Sequence, residues 1–235
     1  MKRKGNLQVL DHANPSSSSA LQSHRIIGMR VDATSYEDAA IRISEWAIAG
    51  ESRFVCVAAV NNVMEAYDNA DFLSVMNAAD LVTPDGMPLV WGLRRLGVPH
   101  ASRVYGPDLT PVLLTKASRE RIPVGFYGGS PDVLDTFLTR VQEKWPDLVI
   151  AYAWSPPFRD LTEQEDERVV TSGAKMLFVG IGCPRQEMWM HAKRGRIEAV
   201  MLGCRCGIRL HGGCEEAGAP ADAANGHGMA LQVCD

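Results

Sequence analysis

Short apolar runs alternate with amphipathic stretches along most of the chain, and this alternation limits the possible fold more than any other feature. FVCVAAV (54–60) and KMLFVGIG (175–182) have no polar face, which is typical of strands that are covered on both sides. Segments with helical spacing lie between such runs, which predicts successive βα units. The sequence therefore predicts an α/β fold, a Rossmann-like and mostly parallel sheet with helices on both faces.

Finer boundaries follow from the same patterns. IIGMRVDA (26–33) predicts one strand, and Thr34 or Ser35 is placed to cap the helix that follows. The segment 61–79 has helical spacing throughout and predicts one long helix.

Three segments differ in composition. Residues 1–23 are polar and serine-rich, which predicts a disordered leader. Residues 24–203 carry the α/β pattern. Residues 204–235 are rich in Gly, Ala and Cys and follow neither the helical nor the strand period, so we expect an aberrant, disordered tail that is not part of the fold.

The bulk composition excludes several classes. A net charge of −4 over 235 residues provides no basic surface for a nucleic acid. No apolar run is long enough for a membrane span, and the first residues lack the apolar stretch of a signal peptide. The sequence predicts a cytoplasmic protein whose six cysteines are reduced thiols.

Ligands of parallel α/β sheets bind at the carboxyl ends of the strands, so the turns after the predicted strands are the candidate sites. In FYGGSPD, Gly128 and Gly129 precede a helix that Ser130 can cap. Glycines let the backbone approach a ligand, and the free N–H groups of a helix start bind anions. The turn is either a diphosphate cradle or an ordinary strand–helix turn.

The TPDG turn places Asp85 and Gly86 directly after a strand. A carboxylate at this edge can accept a proton from a sugar hydroxyl as a general base. The alternative is a turn aspartate that bonds to its own backbone.

Two further turns carry polar residues. In GCPRQEMW, a helix begins with Arg185, Gln186 and Glu187, which can hold a phosphate and sugar hydroxyls or can form a solvated first turn. Cys183 in the same turn is more typical of a buried thiol than of a nucleophile. In RVYGPD (103–108), Arg103, Gly106 and Asp108 can line the same edge or can start a capped helix.

Metal chemistry has little support in the sequence. The chain has no Asp-x-Asp pair of the kind that holds a divalent metal on a diphosphate, so a sugar transferase of this sequence is expected to be metal-independent and to have no cofactor. The tail contains Cys204, Cys206, His211 and Cys214, whose cramped spacing fits no familiar zinc site.

Four of these segments together resemble the WecG/TagA/CpsF family of bacterial glycosyltransferases. They are NAADLVTPDGMPLVW (77–91), RVYGPDL (103–109), IPVGFYGGSPDVL (122–134) and LFVGIGCPRQEMWM (177–190), and the likeness runs in order over residues 26–203. The resemblance implies an inverting enzyme that transfers a sugar, a hexose or an N-acetylhexosamine, from a UDP-sugar to a polyprenyl-diphosphate-linked acceptor. It also implies peripheral contact with the inner face of the plasma membrane, and the likeness is greatest to members that act in exopolysaccharide biosynthesis.

The resemblance assigns roles to residues. Asp85 takes the place of the general base, Arg103 and Gln186 are polar residues of the active site, and Gly128 and Gly129 belong to the nucleotide-binding rim. The family has an asparagine where this chain has Ala59. Asn61 and Asn62 lie nearby, so they join the candidate substrate-binding residues with Gly86, Gly106, Asp108, Arg185 and Glu187.

The tail departs from the family pattern, in which a Gly-Ala-Ala-Phe-Asp segment and a basic stretch follow the last strand. Codons can be chosen for CRCGIRLHGGCEEAGAP (204–220) that, read from the second base, encode Val-Gly-Ala-Ala-Phe-Asp-Tyr-Met-Ala-Gly-Val-Lys-Lys-Arg-Ala-Pro. The hypothesis is a reading-frame change near the Gly203–Cys204 junction, which predicts an impaired enzyme. The alternatives are a nucleotide-sugar-binding protein without catalysis and a dehydrogenase, and the missing GxGxxG disfavours the latter.

Overall fold

The computed structural model describes residues 21–157, 159 and 162–203. Its strands are β1 (Gln22–Ile26), β2 (Met29–Ala33), β3 (Arg53–Ala58), β4 (Leu81–Pro84), β5 (Val124–Gly128), β6 (Ile150–Trp154), β7 (Met176–Gly180) and β8 (Val200–Gly203). Its helices are α1 (Tyr36–Ile48), α2 (Val60–Asp68), α3 (Ala70–Ala78), α4 (Met87–Arg95), α5 (Gly106–Glu120), α6 (Pro131–Lys144), α7 (Glu163–Val170) and α8 (Arg185–Lys193).

The centre of the molecule is a six-stranded sheet in the order β4-β3-β8-β7-β5-β6. Every pair of neighbouring strands in it is parallel. The predicted α/β, Rossmann-like architecture is thereby confirmed. Because all six strands run the same way, their carboxyl ends lie along one edge of the sheet.

Helices cover both faces of this sheet. One apolar core joins the sheet to α2, α3, α4 and α8, and a second core joins its other face to α1, α5 and α6. The connection after β5 leaves over the second core, and the connection after β7 leaves over the first. Connections that diverge in this way open a crevice between the two strand ends.

The segment 26–33, predicted as one strand, is instead the turn and second strand of an antiparallel hairpin, β1–β2. The chain reverses at Ile27 and Gly28, whose φ angles are 49° and 85°. Two consecutive positive φ values are what a tight hairpin turn requires.

A side chain of this hairpin attaches it to β4, the strand at one edge of the sheet. The carboxylate of Asp32 is fully buried and accepts a hydrogen bond from the backbone N–H of Val82 at 2.7 Å. Arg30 donates two hydrogen bonds to the same carboxylate, both 2.8 Å long. A buried charge is stable when it is paired and hydrogen-bonded in this way.

The helix predicted over 61–79 is two helices, and that prediction is wrong. Asn69 ends α2 and caps α3, since its side chain accepts hydrogen bonds from the N–H groups of Asp71 and Phe72. The expected cap at Ser35 is confirmed by a hydrogen bond from the N–H of Asp38. An asparagine cap starts a new helix more favourably than it continues an old one.

The expected segment boundaries fall partly outside the described residues. β1 begins at Gln22, two residues before the domain start placed at residue 24. The tail 204–235, with its four cysteines, lies outside the described residues, as do most residues of the leader. None of the helices in the described part is both long and apolar enough to cross a membrane.

Candidate functional site

Asp85 lies at the carboxyl end of β4, on a turn that is fixed by the neighbouring strand. Its backbone N–H donates to the carbonyl oxygen of Ala58 at the end of β3, over 2.8 Å. Its side chain is 6% exposed. Gly86, the next residue, lies beside Ala59 and caps α4. The carboxylate is therefore held at the sheet edge, with only a small part of it open to solvent.

Arg103 also holds this turn, through contacts with both the backbone and the side chain of Asp85. Its Nε donates to the carbonyl oxygen of Asp85, and a terminal nitrogen lies 3.4 Å from the Asp85 carboxylate. The guanidinium carbon lies 4.1 Å from the centre of the Tyr105 ring, a cation–π distance. The arginine side chain is 43% exposed, so it can hold Asp85 and still meet an anionic ligand.

Gly106 and Asp108 belong to the first turn of α5, next to Arg103. Gly106 is buried against Val57, where a Cβ would lie 3.4 Å from the valine methyl. Asp108 accepts a hydrogen bond from the Tyr36 hydroxyl at 3.2 Å, and that hydroxyl accepts one from the N–H of Tyr105 at 3.0 Å. Asp108 thus holds the start of α5, whereas Asn61 lies exposed on α2.

The predicted glycines meet the end of β7 in the crevice between β5 and β7. The N–H of Gly129 donates to the carbonyl oxygen of Gly180 at 3.2 Å. Gly128 has a φ of 130°, and a Cβ on it would lie 2.5 Å from the carbonyl carbon of Gly180. Only glycine allows this approach of two backbones. Ser130 stands at the cap of α6, but its side chain makes no capping hydrogen bond.

A cavity of about 510 Å³ opens from this crevice between the sheet edge, α7 and α8. The rings of Tyr127 and Trp189 line it and stack on each other with centroids 4.5 Å apart. Arg159, Arg185 and Lys193 also line it. Aromatic faces next to basic groups suit a ligand that combines a planar ring with a negative charge.

Asn62, Gln186 and Glu187 form a buried cluster between the starts of α2 and α8. The Glu187 carboxylate accepts hydrogen bonds from Asn62 at 3.2 Å and from Gln186 at 3.0 Å. All three residues are almost completely buried, and Gln186 lies against Gly203 at the end of β8. Burial raises the pKa of Glu187 above that of an ordinary carboxyl group.

The structure brings the candidates into two groups at the carboxyl edge of the sheet and one buried cluster. Asp85, Gly86, Arg103 and Gly106 surround the ends of β4 and β3, and Gly128, Gly129 and Arg185 surround the β5–β7 crevice. Four inter-strand steps of about 4.8 Å each separate β4 from β5. A single small ligand cannot reach both groups, whereas an extended substrate of two parts can.

A larger cavity, of about 720 Å³, lies elsewhere, between α1 and α5. Its lining includes Tyr36, Pro111 and Trp145 and none of the candidate site residues. It is not at the carboxyl edge of the sheet, so position favours the smaller cavity as the functional one. Among the described residues, no three His, Cys, Asp or Glu side chains come together as a metal site would require.

Sequence reasoning missed three contributors to the site. Ser155 donates to the carbonyl oxygen of Gly129 at 2.6 Å, and its place directly after β6 was the available signal. Tyr127 and Trp189 lie in the candidate segments FYGGSPD and GCPRQEMW, but no sequence signal sets their rings apart from other aromatic side chains.

Similarity to known proteins extends over most of the chain. A family model described as "Glycosyl transferase WecG/TagA/CpsF family" matches residues 24–220. An N-acetylglucosaminyldiphosphoundecaprenol N-acetyl-beta-D-mannosaminyltransferase from Bacillus spizizenii is 34% identical over 140 residues, which are 59% of this chain and 54% of the relative. The matched region thus spans about half the length of that curated relative.

Proposed function

The chain belongs to the glycosyl transferase WecG/TagA/CpsF family, and from this premise we propose that it is an inverting glycosyltransferase. It moves a hexose or an N-acetylhexosamine from a UDP-sugar to a sugar carried by a polyprenyl diphosphate. The observation that carries the proposal is Asp85, a carboxylate held at the carboxyl edge of the sheet by the neighbouring strand and by Arg103.

The chemistry follows from that position. Asp85 takes the proton of the acceptor hydroxyl, whose oxygen attacks the anomeric carbon from the side opposite the leaving group. The bond from the anomeric carbon to the UDP oxygen breaks, and UDP leaves with the electron pair. The configuration at the anomeric carbon is inverted because one displacement occurs.

The leaving diphosphate needs positive groups. In this proposal the nucleotide lies in the β5–β7 crevice and the adjoining cavity, with its base near Trp189. The diphosphate extends from the crevice along the carboxyl edge of the sheet toward β4, and Arg185 at the crevice and Arg103 beside Asp85 add positive charge. These groups provide charge neutralisation without a metal ion.

The acceptor is proposed from the relative's name, which contains a diphosphoundecaprenol carrying N-acetylglucosamine. Apolar side chains stand exposed on the two helices that begin beside Asp85: Met64 and Tyr67 on α2, and Met87 and Trp91 on α4. Such a surface suits a lipid-linked substrate. The reaction would then occur at the inner face of the plasma membrane, in exopolysaccharide or other cell-surface polysaccharide synthesis.

The test is a panel of UDP-sugars incubated with a polyprenyl-diphosphate-linked N-acetylglucosamine, with and without EDTA. The full chain is compared with a version in which the shifted-frame reading replaces residues 204–220. Product is identified by mass spectrometry, and UDP binding is measured by calorimetry. Transfer that survives EDTA supports the proposal, and UDP binding without transfer in both chains supports a binding protein instead. No UDP binding in either chain overturns the proposal.

A further inference from the structure

Glu187 is buried too deeply to contact a substrate directly. It is 0% exposed, although it stands in the first turn of α8 next to the site. One carboxylate oxygen, Oε1, accepts from Asn62 and Gln186. The other, Oε2, is buried and has no hydrogen-bond partner among the described residues. A buried carboxylate oxygen without a hydrogen bond costs free energy, so its presence calls for a structural explanation.

The explanation lies in the side-chain amide of Asn62, whose oxygen and nitrogen bond to different parts of the fold. The side-chain oxygen of Asn62 accepts a hydrogen bond from the N–H of Ala59 at 3.0 Å, while its nitrogen donates to Glu187. Asn62 therefore ties the turn between β3 and α2 to the start of α8. Both ends of this tie are buried, so water cannot replace either bond at low cost.

The same turn supports Asp85. The N–H of Asp85 donates to the carbonyl oxygen of Ala58. Gly86 packs beside Ala59, because a Cβ added to the glycine would lie 3.9 Å from the Ala59 Cα. A continuous set of contacts therefore runs from Glu187 through Asn62 to the Ala58–Ala59 backbone and on to Asp85. Energetic coupling between two sites is carried by contiguous networks of this kind.

We propose that Glu187 is a positioning residue for Asp85, acting through Asn62 and the β3–α2 turn. The inference rests on the proposed function for its catalytic consequence, but the physical link can be tested without turnover. Misplacement of a catalytic group by about 1 Å can lower a rate by about 10²-fold, so a link of this kind affects kcat.

The surroundings of this carboxyl group disfavour its charged form. Burial is the largest cause of its raised pKa, and the hydrogen bonds from Gln186, Cys183 and Asn62 only partly oppose it. The titratable groups that face it are the thiols of Cys56 on β3 and Cys183 before α8, and burial raises the pKa of Cys56. Glutamine has the shape of the carboxyl group and keeps an acceptor oxygen, whereas methionine fills the space without one.

The first experiment measures amide hydrogen exchange in the full chain. In Glu187→Met the amides of Ala59 and Asp85 should exchange about tenfold faster or more, because a buried hydrogen-bond partner is lost. Amides of β5 should keep their rates, and Glu187→Gln should restore the wild-type pattern. Glu143→Ala, at an exposed glutamate of α6, is the control. Should Glu187→Met not fold, Asn62→Ser breaks the same tie from its other end.

The second experiment measures unfolding against pH. A carboxyl group whose folded pKa is raised contributes stability fully below its unfolded pKa, and that stability is lost as pH rises through the folded pKa. The free energy of unfolding of the wild type should fall in this way as pH rises, and that of Glu187→Gln should not.

The third experiment measures kinetics. Glu187→Met should lower kcat by about 10- to 100-fold with the donor KM unchanged, and should add little to Asp85→Asn. Uniform exchange changes across the sheet, or an unchanged kcat in Glu187→Met, would overturn the positioning role. If the chain with the shifted-frame segment also transfers no sugar, that result counts against the proposed function alone, because the exchange result still decides whether Glu187 holds the turn.

Discussion

Asp85 combines two properties that a general base needs: a fixed backbone and a carboxylate at the ligand edge of the sheet. We expect Asp85→Asn to lower kcat by about 10²–10⁴-fold, because asparagine keeps the size of the side chain but cannot accept the proton. Donor binding should change little, since Arg103 can still hold the backbone carbonyl of residue 85. Single-turnover kinetics and UDP calorimetry separate the two effects.

Asp147→Asn, at an exposed position after α6, serves as the control for that change. Both variants lose one negative charge, so a general charge effect would appear in both. An Asp85→Asn enzyme with wild-type turnover would remove Asp85 from the mechanism.

A substitution at Gly128 tests the importance of the close approach between the ends of β5 and β7. We expect Gly128→Ala to lower the free energy of unfolding by about 3 kcal/mol or more, because the new methyl group would collide with the Gly180 carbonyl. Gly173→Ala is the matched control: its φ is also positive, at 73°, but a Cβ there meets nothing within 4 Å. Its cost should be limited to about 1–2 kcal/mol of backbone strain. Urea unfolding of the two variants gives the comparison, and equal losses would contradict the explanation.

At the scale of elements, the β1–β2 hairpin protects an edge of the sheet by a carboxylate and not by strand pairing. We expect Asp32→Ala to lower the free energy of unfolding by about 3 kcal/mol, because it leaves Arg30 and the N–H of Val82 without their shared acceptor. Thermal unfolding monitored by circular dichroism measures this loss.

The surface pair of Lys116 and Glu120 is the control for Asp32. Because that pair is partly exposed and only one turn apart on α5, Glu120→Ala should cost less than about 0.5 kcal/mol. Similar losses in the two variants would show that the buried carboxylate has no special part in attaching the hairpin.

Sequence patterns predicted the sheet and the carboxyl-edge site because both depend on local apolar periodicity and on turn residues. They failed where the decisive contact is distant or unusual. The hairpin was missed because Ile27, a β-branched residue, adopts a positive φ that such residues avoid. The buried role of Asn62 was missed because its partner Glu187 lies 125 positions away in the chain.

For the whole molecule, the reading-frame hypothesis makes a prediction about the gene. We expect the bases that encode residues 204–220 to spell the Gly-Ala-Ala-Phe-Asp segment when they are read one base further on. Sequencing across codons 200 to 215 tests it, and a shifted frame that encodes anything else refutes it.

The same hypothesis predicts that the chain with the shifted-frame segment transfers sugar faster than the chain of 235 residues. The basic residues that the replacement introduces would add positive charge for the leaving diphosphate. Equal activity in the two chains would show that the segment after Gly203 does not affect the reaction.

The place of β8 has a consequence for synthesis on the ribosome. It is the last strand to be made among those described, yet it lies between β3 and β7 in the middle of the sheet. Until Gly203 has been translated, a nascent chain can form only two half-sheets, each with an unpaired inner edge. Exposed strand edges invite aggregation. Folding of this domain should therefore be completed only after β8 has left the ribosome, and ribosome-bound chains that stop before β8 should depend on chaperones.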